Sequence, residues 1–198
     1  MERAIFVRHG ESEYSAKALV NGDPAVVVGL TEEGRQQARS LSERLTSEPI
    51  DLCVVTEFGR TRETADLALG DRPVPRVILS DLNDPFYGSF EGGPLAEYRK
   101  WAGSHGPLDV PPGGGEARAA IAKRYARGFR FLLDRPEETI LVVCHSLPIA
   151  VALAAADGRV PTSKMPLVTP AEPQVIYEPI LRAAVERIDA WIQDPVYR

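Results

Sequence analysis

Short apolar runs alternate along this chain with longer segments in which apolar residues recur every three to four positions. The runs are rich in Val, Ile and Leu, which is typical of strands buried on both faces of a parallel sheet. Strands are predicted at 4–7, 51–55, 74–79, 139–143 and 174–177, and helices at 31–45, 61–67, 95–101, 116–133, 147–156 and 180–193. This alternation predicts an α/β fold, a three-layer sandwich with a mostly parallel central sheet flanked by helices.

Turn and capping residues mark several element boundaries. Thr31 is an expected N-cap because Glu32 and Glu33 follow it in the first turn of a predicted helix. A Gly-Asp-Arg-Pro sequence at 70–73 ends the second helix. Pro75 lies within the third predicted strand, so we expect that strand near an edge of the sheet.

The length of 198 residues and the hydrophobic content of 44% predict one domain with one substantial core. No Pro- or Gly-rich stretch is clean enough to act as a linker, so a single domain over 1–198 is expected. The Gly- and Pro-rich region 82–115 is interpreted as a short cap within that domain. The last helix, at 180–193, is expected to close the fold.

The charge balance is mildly acidic, with 23 Lys and Arg against 28 Asp and Glu and a net charge of -5. This argues against a nucleic-acid partner and against a membrane surface as partner. The chain enters a strand directly at its N-terminus and has no apolar run near the ~20 residues that span a bilayer. We therefore expect a cytoplasmic protein, and we interpret Cys53 and Cys144 as buried free thiols.

Basic side chains follow three of the predicted strands. Arg8 and His9 come directly after the first strand, Arg60 follows the second by a few residues, and His145 follows the fourth. Because the carboxyl ends of parallel strands lie at one edge of a sheet, these four side chains are expected to converge there. Two guanidinium groups and two imidazoles near helix N-termini form a site suited to a dianion such as phosphate.

Five segments in order resemble the motifs of the histidine phosphatase superfamily, in its phosphoglycerate mutase-like branch. They are Arg8-His9-Gly10-Glu11-Ser12 and the segments 30–38, 56–65, 82–92 and 142–145, the last of which ends at His145. The sequence from Gly114 to Arg124 is also similar to a helix opening common in the phosphatases of the family. The resemblance covers most of the chain and implies a phosphoglycerate mutase-like fold.

The resemblance also implies site residues. His9 is then the nucleophile that becomes phosphorylated, while Arg8, Arg60 and His145 hold the phosphoryl group. The reaction requires neither metal nor cofactor. Asp84 stands where the family has its proton donor, usually a Glu, and Asp is one methylene shorter. Glu91 and, more distantly, Glu57 remain alternative donors.

Departures from the mutase pattern favour a phosphatase. Mutases of the family commonly have Asn at Ser15 and a Gly-rich step at 146–148, and the region 84–116 is short. We expect a phosphatase that acts on a small phosphorylated metabolite, with phosphoglycerate mutase activity as the alternative. We also expect that the protein can form a homodimer. The predicted substrate-binding residues are Ser15, Asn21, Gly22, Tyr87 and Ser146; Arg99 and Lys100 are interpreted as a solvated helix face.

Three rival functions follow from other residues. A metallohydrolase would use His9, His105 and His145, although His105 lacks the close spacing of metal ligands. A cysteine hydrolase built on Cys144 and His145 is disfavoured because adjacent strand residues point to opposite faces. A non-catalytic phosphate-binding domain remains open, because Asp replaces the usual acid at Asp84.

Overall fold

The computed structural model describes residues 1–197 and contains a five-stranded sheet of order β3-β2-β4-β1-β5. The strands are β1 (Arg3–Arg8), β2 (Leu52–Val55), β3 (Arg76–Ile78), β4 (Thr139–Cys144) and β5 (Gln174–Tyr177). All neighbouring strands are parallel except β5, which pairs with β1 in antiparallel orientation. The predicted α/β fold with a mostly parallel sheet is confirmed.

The helices are α1 (Glu32–Leu45), α2 (Gly59–Leu69), α3 (Leu95–Gly103), α4 (Arg118–Leu133), α5 (Ser146–Ala156) and α6 (Glu178–Gln193). Thr31 caps α1 as predicted, because its side chain accepts a hydrogen bond from the Gly34 N–H. Helix α6 begins at once after β5, with Pro179 in its first turn. None of the helices in residues 1–197 is long and apolar enough to cross a membrane.

Strand β3 is shorter than the predicted run 74–79 and lies at the edge of the sheet. Pro75 has no N–H to donate, so it contributes only its carbonyl, which accepts from the Cys53 N–H at 2.9 Å. The edge position predicted from Pro75 is confirmed, and the regular strand begins only at the next residue.

Alternate residues of the strands face two separate cores. One face, with Phe6, Val54 and Val142, packs against α4, α5 and α6, and the other, with Val7 and Val143, packs against α1 and α2. The sheet therefore forms the middle of three layers, as predicted. The chain's two cysteines, Cys53 and Cys144, are buried free thiols in these cores.

A third apolar cluster lies apart from the sheet. It joins Val20 to Tyr87 in the Gly- and Pro-rich region and to Tyr98 and Ala102 on α3, with Phe90, Leu95 and Trp101 packed around them. Three ring pairs meet edge to face or stacked within it, for example Tyr87 and Tyr98 at 4.7 Å between centroids. This cluster holds the predicted cap region over the carboxyl edge of the sheet.

Candidate active site

Three adjacent parallel strands end at the same level. The register pairs Arg8 of β1 with Cys144 of β4, and Val55 of β2 with Val143 of β4. The next residues along the chain are therefore neighbours at the carboxyl edge, and the His9 N–H donates to the Cys144 carbonyl at 3.0 Å. The convergence of basic residues predicted from the strand ends is present.

His9 is buried and carries its proton on Nδ1. The Nδ1–H donates to the Gly10 carbonyl at 2.7 Å, since a carbonyl only accepts, and Nε2 accepts from the Arg60 Nε–H at 3.1 Å. Burial lowers the pKa of His9 well below its usual value, and the charges of Arg60, His145 and Arg8 lower the pKa further. The imidazole is therefore neutral near pH 7, with the lone pair that a nucleophile needs on Nε2.

Arg60 lies in the first turn of α2 and connects most of the site. Its Nη1 donates to Asn21 Oδ1 at 2.6 Å and its Nη2 to Asp84 Oδ2 at 3.2 Å, in addition to the bond to His9. The guanidinium also lies 4.2 Å from the centroid of the Phe58 ring. These contacts fix the guanidinium plane before any ligand arrives, which is the arrangement that favours binding of a phosphoryl group.

Asp84 provides the carboxylate of the site. Its Oδ2 accepts from Arg60 Nη2 and from His145 Nδ1, each at 3.2 Å. Burial favours the neutral carboxyl, but His145, Arg60 and His9 outweigh that effect and hold the pKa of Asp84 well below its usual value. Asp84 is thus ionised in the free site and lines the same cavity as His9.

The alternative donors Glu91 and Glu57 lie outside the cavity that His9 and Asp84 line. The Glu91 carboxylate accepts from the backbone N–H groups of Gly22 and Tyr87, at 2.9 and 2.7 Å. Glu57 accepts from the Asn83 side chain at 2.6 Å, close to solvent. Both acids hold loops, and burial raises the pKa of Glu91. Of the three candidate donors, Asp84 is the one that lines the cavity.

His145 lies at the N-terminus of α5 and is fully buried. Its Nδ1–H points to Asp84, and its Nε2 lies 2.9 Å from the Thr56 hydroxyl, which in turn contacts the Thr61 hydroxyl at 3.0 Å. Burial lowers the pKa of His145, while the adjacent Asp84 carboxylate raises it. In the free site His145 lies behind Asp84 and does not line the cavity. The predicted contact of His145 with the phosphoryl group is therefore not what this geometry provides.

Arg8 extends from the end of β1 into the cavity. Its Nη1 donates to the Val168 carbonyl at 2.7 Å, and its Nε has no hydrogen-bond partner among residues 1–197. Burial lowers the pKa of this guanidinium, and Asp84 opposes that effect. The Val168 N–H also donates a hydrogen bond to the Ser146 hydroxyl oxygen at 2.9 Å. These two bonds attach the Pro-rich segment 161–173 to the site.

The cavity beside His9 contains four of the five predicted substrate-binding residues, namely Ser15, Asn21, Tyr87 and Ser146. Gly22 does not line it. Its N–H is bound by Glu91, and a Cβ at this position would lie 1.7 Å from the Pro85 carbonyl oxygen. Gly22 is therefore needed for a close approach of two backbone segments, and its expected contact with substrate is not what this geometry provides.

The prediction that Arg99 and Lys100 form a solvated helix face is wrong for Arg99. Arg99 lines the cavity and donates to the Met165 carbonyl at 3.0 Å, whereas the neighbouring Lys100 is exposed. One face of α3 thus points to the cavity and the other to solvent.

Several residues that line the cavity were not predicted from the sequence. They are Ser12, Tyr14, Leu19, Val20, Leu95, Tyr98, Arg118, Leu147, Ser163, Met165, Pro166 and Leu167. The last four belong to the Pro-rich segment, whose path over the sheet edge no local pattern indicates. Arg118 stands in the first turn of an amphipathic helix, where a basic residue gives no sign of being buried.

One group within residues 1–197 has the geometry for a metal ion: His9, Asp84 and His145 offer ligand atoms within 4.8 Å of one another. The Arg60 guanidinium lies within 3.3 Å of both imidazoles and would repel a cation there. His105, the third histidine of the rival metallohydrolase, is exposed and stacks on Trp101 at 4.4 Å instead. The Cys144 thiol is fully buried, and burial raises its pKa, which disfavours a cysteine nucleophile.

Comparison with known proteins places residues 4–172 within the model of the histidine phosphatase superfamily, branch 1. A 2,3-bisphosphoglycerate-dependent phosphoglycerate mutase of Methylobacterium sp. is 31% identical over 80% of this chain and 82% of its own length. The adenosylcobalamin/alpha-ribazole phosphatase of Escherichia coli is 28% identical over 79% of each chain. Its counterpart from Salmonella typhimurium is 39% identical, over 45% of this chain and 43% of its own.

Solved structures show the same architecture. A putative alpha-ribazole-5'-P phosphatase from Escherichia coli superposes with a TM-score of 0.78 at 27% identity, covering 89% of this chain and 90% of its own. Bacillus stearothermophilus YhfR superposes with a TM-score of 0.76 at 26% identity, covering 88% and 90%.

Proposed function

The chain belongs to the histidine phosphatase superfamily, branch 1, and we propose that it hydrolyses small phosphomonoesters through a phosphohistidine formed on His9. The family and the phosphatase class predicted from the sequence are confirmed. The single observation that supports the role of His9 is the placement of its imidazole, with Nδ1 on the Gly10 carbonyl and Nε2 held 3.1 Å from the Arg60 Nε.

The first step uses the groups that already surround His9. The Nε2 lone pair attacks phosphorus, the bond to the ester oxygen breaks, and Arg8 and Arg60 stabilise the charge that spreads over the phosphoryl oxygens. In doing so the Arg60 Nε–H exchanges its bond to His9 for one to a phosphoryl oxygen. The guanidiniums supply the electrostatic stabilisation that a metal supplies elsewhere, which agrees with a metal-independent superfamily.

Asp84 handles the proton. The substrate monoanion gives its proton to the Asp84 carboxylate on binding, and the departing alkoxide then takes this proton from the Asp84 carboxyl. The resulting carboxylate removes a proton from the water that attacks the phosphohistidine. His145, held by Thr56 and bonded to Asp84, keeps this carboxyl group beside Arg60. A bound phosphoryl group contacts the same guanidinium, so acid and substrate are positioned by one side chain.

Mutase activity is the second candidate, because the Methylobacterium relative named as a phosphoglycerate mutase matches over four fifths of the chain. Two assays distinguish the phosphatase from the mutase. One measures phosphate release from a panel of phosphorylated metabolites with chelator present, and the other measures isomerisation of 3-phosphoglycerate primed by a bisphosphoglycerate. Release of inorganic phosphate without isomerisation supports the phosphatase. Efficient isomerisation contradicts it, and phosphate binding without either reaction identifies a non-catalytic phosphate-binding domain.

The remaining expectations concern the setting of the enzyme. We propose a cytoplasmic location, a small phosphorylated metabolite as the sole substrate partner with neither nucleic acid nor membrane, and assembly as a homodimer. Light scattering at micromolar concentration measures the assembly directly, and a monomeric mass contradicts the homodimer.

A further inference from the structure

Arg118 is a buried cation in the wall of the cavity. It is the first residue of α4, only 6% of its surface is exposed, and it lines the same cavity as His9 and Asp84. Its Nε and Nη1 have no hydrogen-bond partner within residues 1–197, and its Nη2 lies at the long distance of 3.4 Å from the Ser163 carbonyl. A guanidinium has five N–H donors, so most of its bonding capacity is unused.

Other arginines on the same helix are paired. Arg124 makes two hydrogen bonds to the Glu116 carboxylate, at 2.8 and 2.9 Å, and Arg127 is bonded to Asp81 at 2.7 Å near solvent. Arg118 has no such carboxylate within the described part of the chain, although burying an unpaired charge lowers stability. A residue that is costly to the fold and faces the cavity is best explained by a ligand that pairs with it.

The described groups that the charge of Arg118 affects are phenols. They belong to Tyr87, Tyr98, Tyr125 and Tyr197, and Tyr197 also shares a hydrogen bond with Arg118. Burial raises the pKa of each phenol, so these groups are neutral near pH 7 and do not balance the charge of Arg118. Arg99, on the facing helix α3, adds a second guanidinium to the same cavity. Asp84 supplies a carboxylate, but that group is already bonded to Arg60 and His145.

Arg118 shares one cavity with the groups proposed for phosphoryl transfer. His9, Asp84, Tyr87 and Arg118 all line it. The Asp84 carboxylate and the Arg118 guanidinium both act on the pKa of the Tyr87 phenol, in opposite directions. A substrate whose phosphoryl group lies at His9 therefore has its alcohol portion in the cavity that Arg118 lines.

We propose that Arg118, aided by Arg99, binds an acidic group on the alcohol portion of the substrate, so that the enzyme selects phosphomonoesters carrying a second negative charge. This proposal rests on the proposed function, because it assumes that the phosphoryl group occupies the His9 end of the cavity. The second acid is a carboxylate or a further phosphate, and both are ligands that a guanidinium binds well.

Matched substrates measure this selection. Phosphate esters of unbranched ω-hydroxy acids with three to six carbons are compared with their carboxamides, and alkanediol bisphosphates of the same lengths distinguish a carboxylate from a phosphate. The wild-type enzyme is expected to favour at least one acidic ester over its neutral counterpart by about 10- to 100-fold in kcat/KM, mainly through KM.

Substitution at Arg118 then assigns the selection. Arg118→Gln is expected to reduce the preference to below about 3-fold, Arg118→Lys to retain part of it, and the control Arg127→Gln on the exposed side of α4 to leave it unchanged. Turnover of a neutral ester by the control Arg127→Gln is expected to stay within about 3-fold of wild type. The Tm of Arg118→Gln without ligand is not lowered, because the variant removes a buried unpaired charge.

Two results overturn the proposal: a wild-type enzyme that hydrolyses acidic and neutral esters alike, or a preference that survives in a folded Arg118→Gln variant. Absence of phosphate release from every ester contradicts the proposed function instead. In that case calorimetric titration of the His9→Ala protein with the acidic ester and its amide still decides the role of Arg118. Binding that does not distinguish the two, or that Arg118→Gln does not weaken, overturns the inference.

Discussion

Asp84 has to be ionised in the free enzyme and protonated when the leaving oxygen departs. His145 and Arg60 hold its pKa below the usual value, although burial acts in the other direction. A phosphoryl group bound beside Arg60 brings negative charge into the same space and raises the pKa of the carboxyl again. The substrate itself thus converts Asp84 into an acid.

Replacing Asp84 with Asn tests this role through the leaving group. An alkoxide needs a proton to leave, so Asp84→Asn is expected to reduce turnover of alkyl phosphates by about 10²–10⁴-fold. Aryl phosphates, whose leaving groups need little protonation, lose much less in a single-turnover measurement of the phosphorylation step. Glu91→Gln is the control and leaves the ratio of alkyl to aryl rates unchanged. Equal losses on both substrates in Asp84→Asn exclude Asp84 as the acid.

The pH dependence follows from two lowered pKa values. Because the pKa of His9 lies well below its usual value, its attacking form persists as the pH falls through 6.5. Because the pKa of Asp84 is also low, its proton has to arrive with the substrate monoanion, whose second pKa is about 6. We therefore expect kcat/KM for an alkyl phosphate to fall about tenfold per pH unit above about pH 6, without a decline between pH 6.5 and 6. A maximum above pH 8 contradicts this assignment.

At the scale of elements, the loop after β1 is held against the start of α1 by two glycines. A Cβ at Gly10 would lie 2.3 Å from the Gly34 carbonyl oxygen, and one at Gly34 would lie 2.0 Å from that of Glu11. The close crossing lets the Thr31 hydroxyl bond to the Glu11 carboxylate at 2.8 Å. Helix α1 thus fixes the loop that carries the nucleophile.

Gly34→Ala is expected to destabilise the protein because the added methyl group meets backbone, which has little room to move. The loss is about 1–3 kcal/mol, or a decrease in Tm of about 2–4 °C for each kcal/mol. Gly29→Ala is the matched control, since a Cβ at Gly29 has open space around it. Thermal unfolding followed by circular dichroism compares the two. Equal Tm values for both variants contradict a tight crossing.

At the scale of the whole molecule, a chain of net charge -5 carries its active-site cavity as a local positive region. Arg8, Arg60, Arg99 and Arg118 line the cavity, and Asp84 is its one ionised carboxylate among the described residues. Four guanidiniums against one carboxylate make the cavity a site that favours small anions, although the chain as a whole is acidic.

The part of the site that lies on strand ends was predictable from the sequence, and the part that depends on loop paths was not. His9, Arg60 and His145 follow apolar runs whose parallel pairing determines where they meet. The burial of Arg118 and the course of 161–173 depend on contacts between distant segments, such as the Arg8 bond to the Val168 carbonyl. Local patterns carry no record of those contacts. The depth of His145 behind Asp84 is likewise set by the Thr56 hydroxyl, from a different strand end.

The covalent intermediate on His9 is the central claim, and rapid-quench labelling tests it most directly. The enzyme is mixed with a phosphomonoester labelled in its phosphoryl group, and the reaction is quenched in alkali within milliseconds. The labelled residue is then identified by peptide mapping. We expect an alkali-stable, acid-labile label on His9 that forms and decays at rates consistent with turnover. The label is absent from His9→Ala, whose fold is retained by circular dichroism and whose turnover is abolished. A label on any other residue, or full activity in His9→Ala, would contradict it.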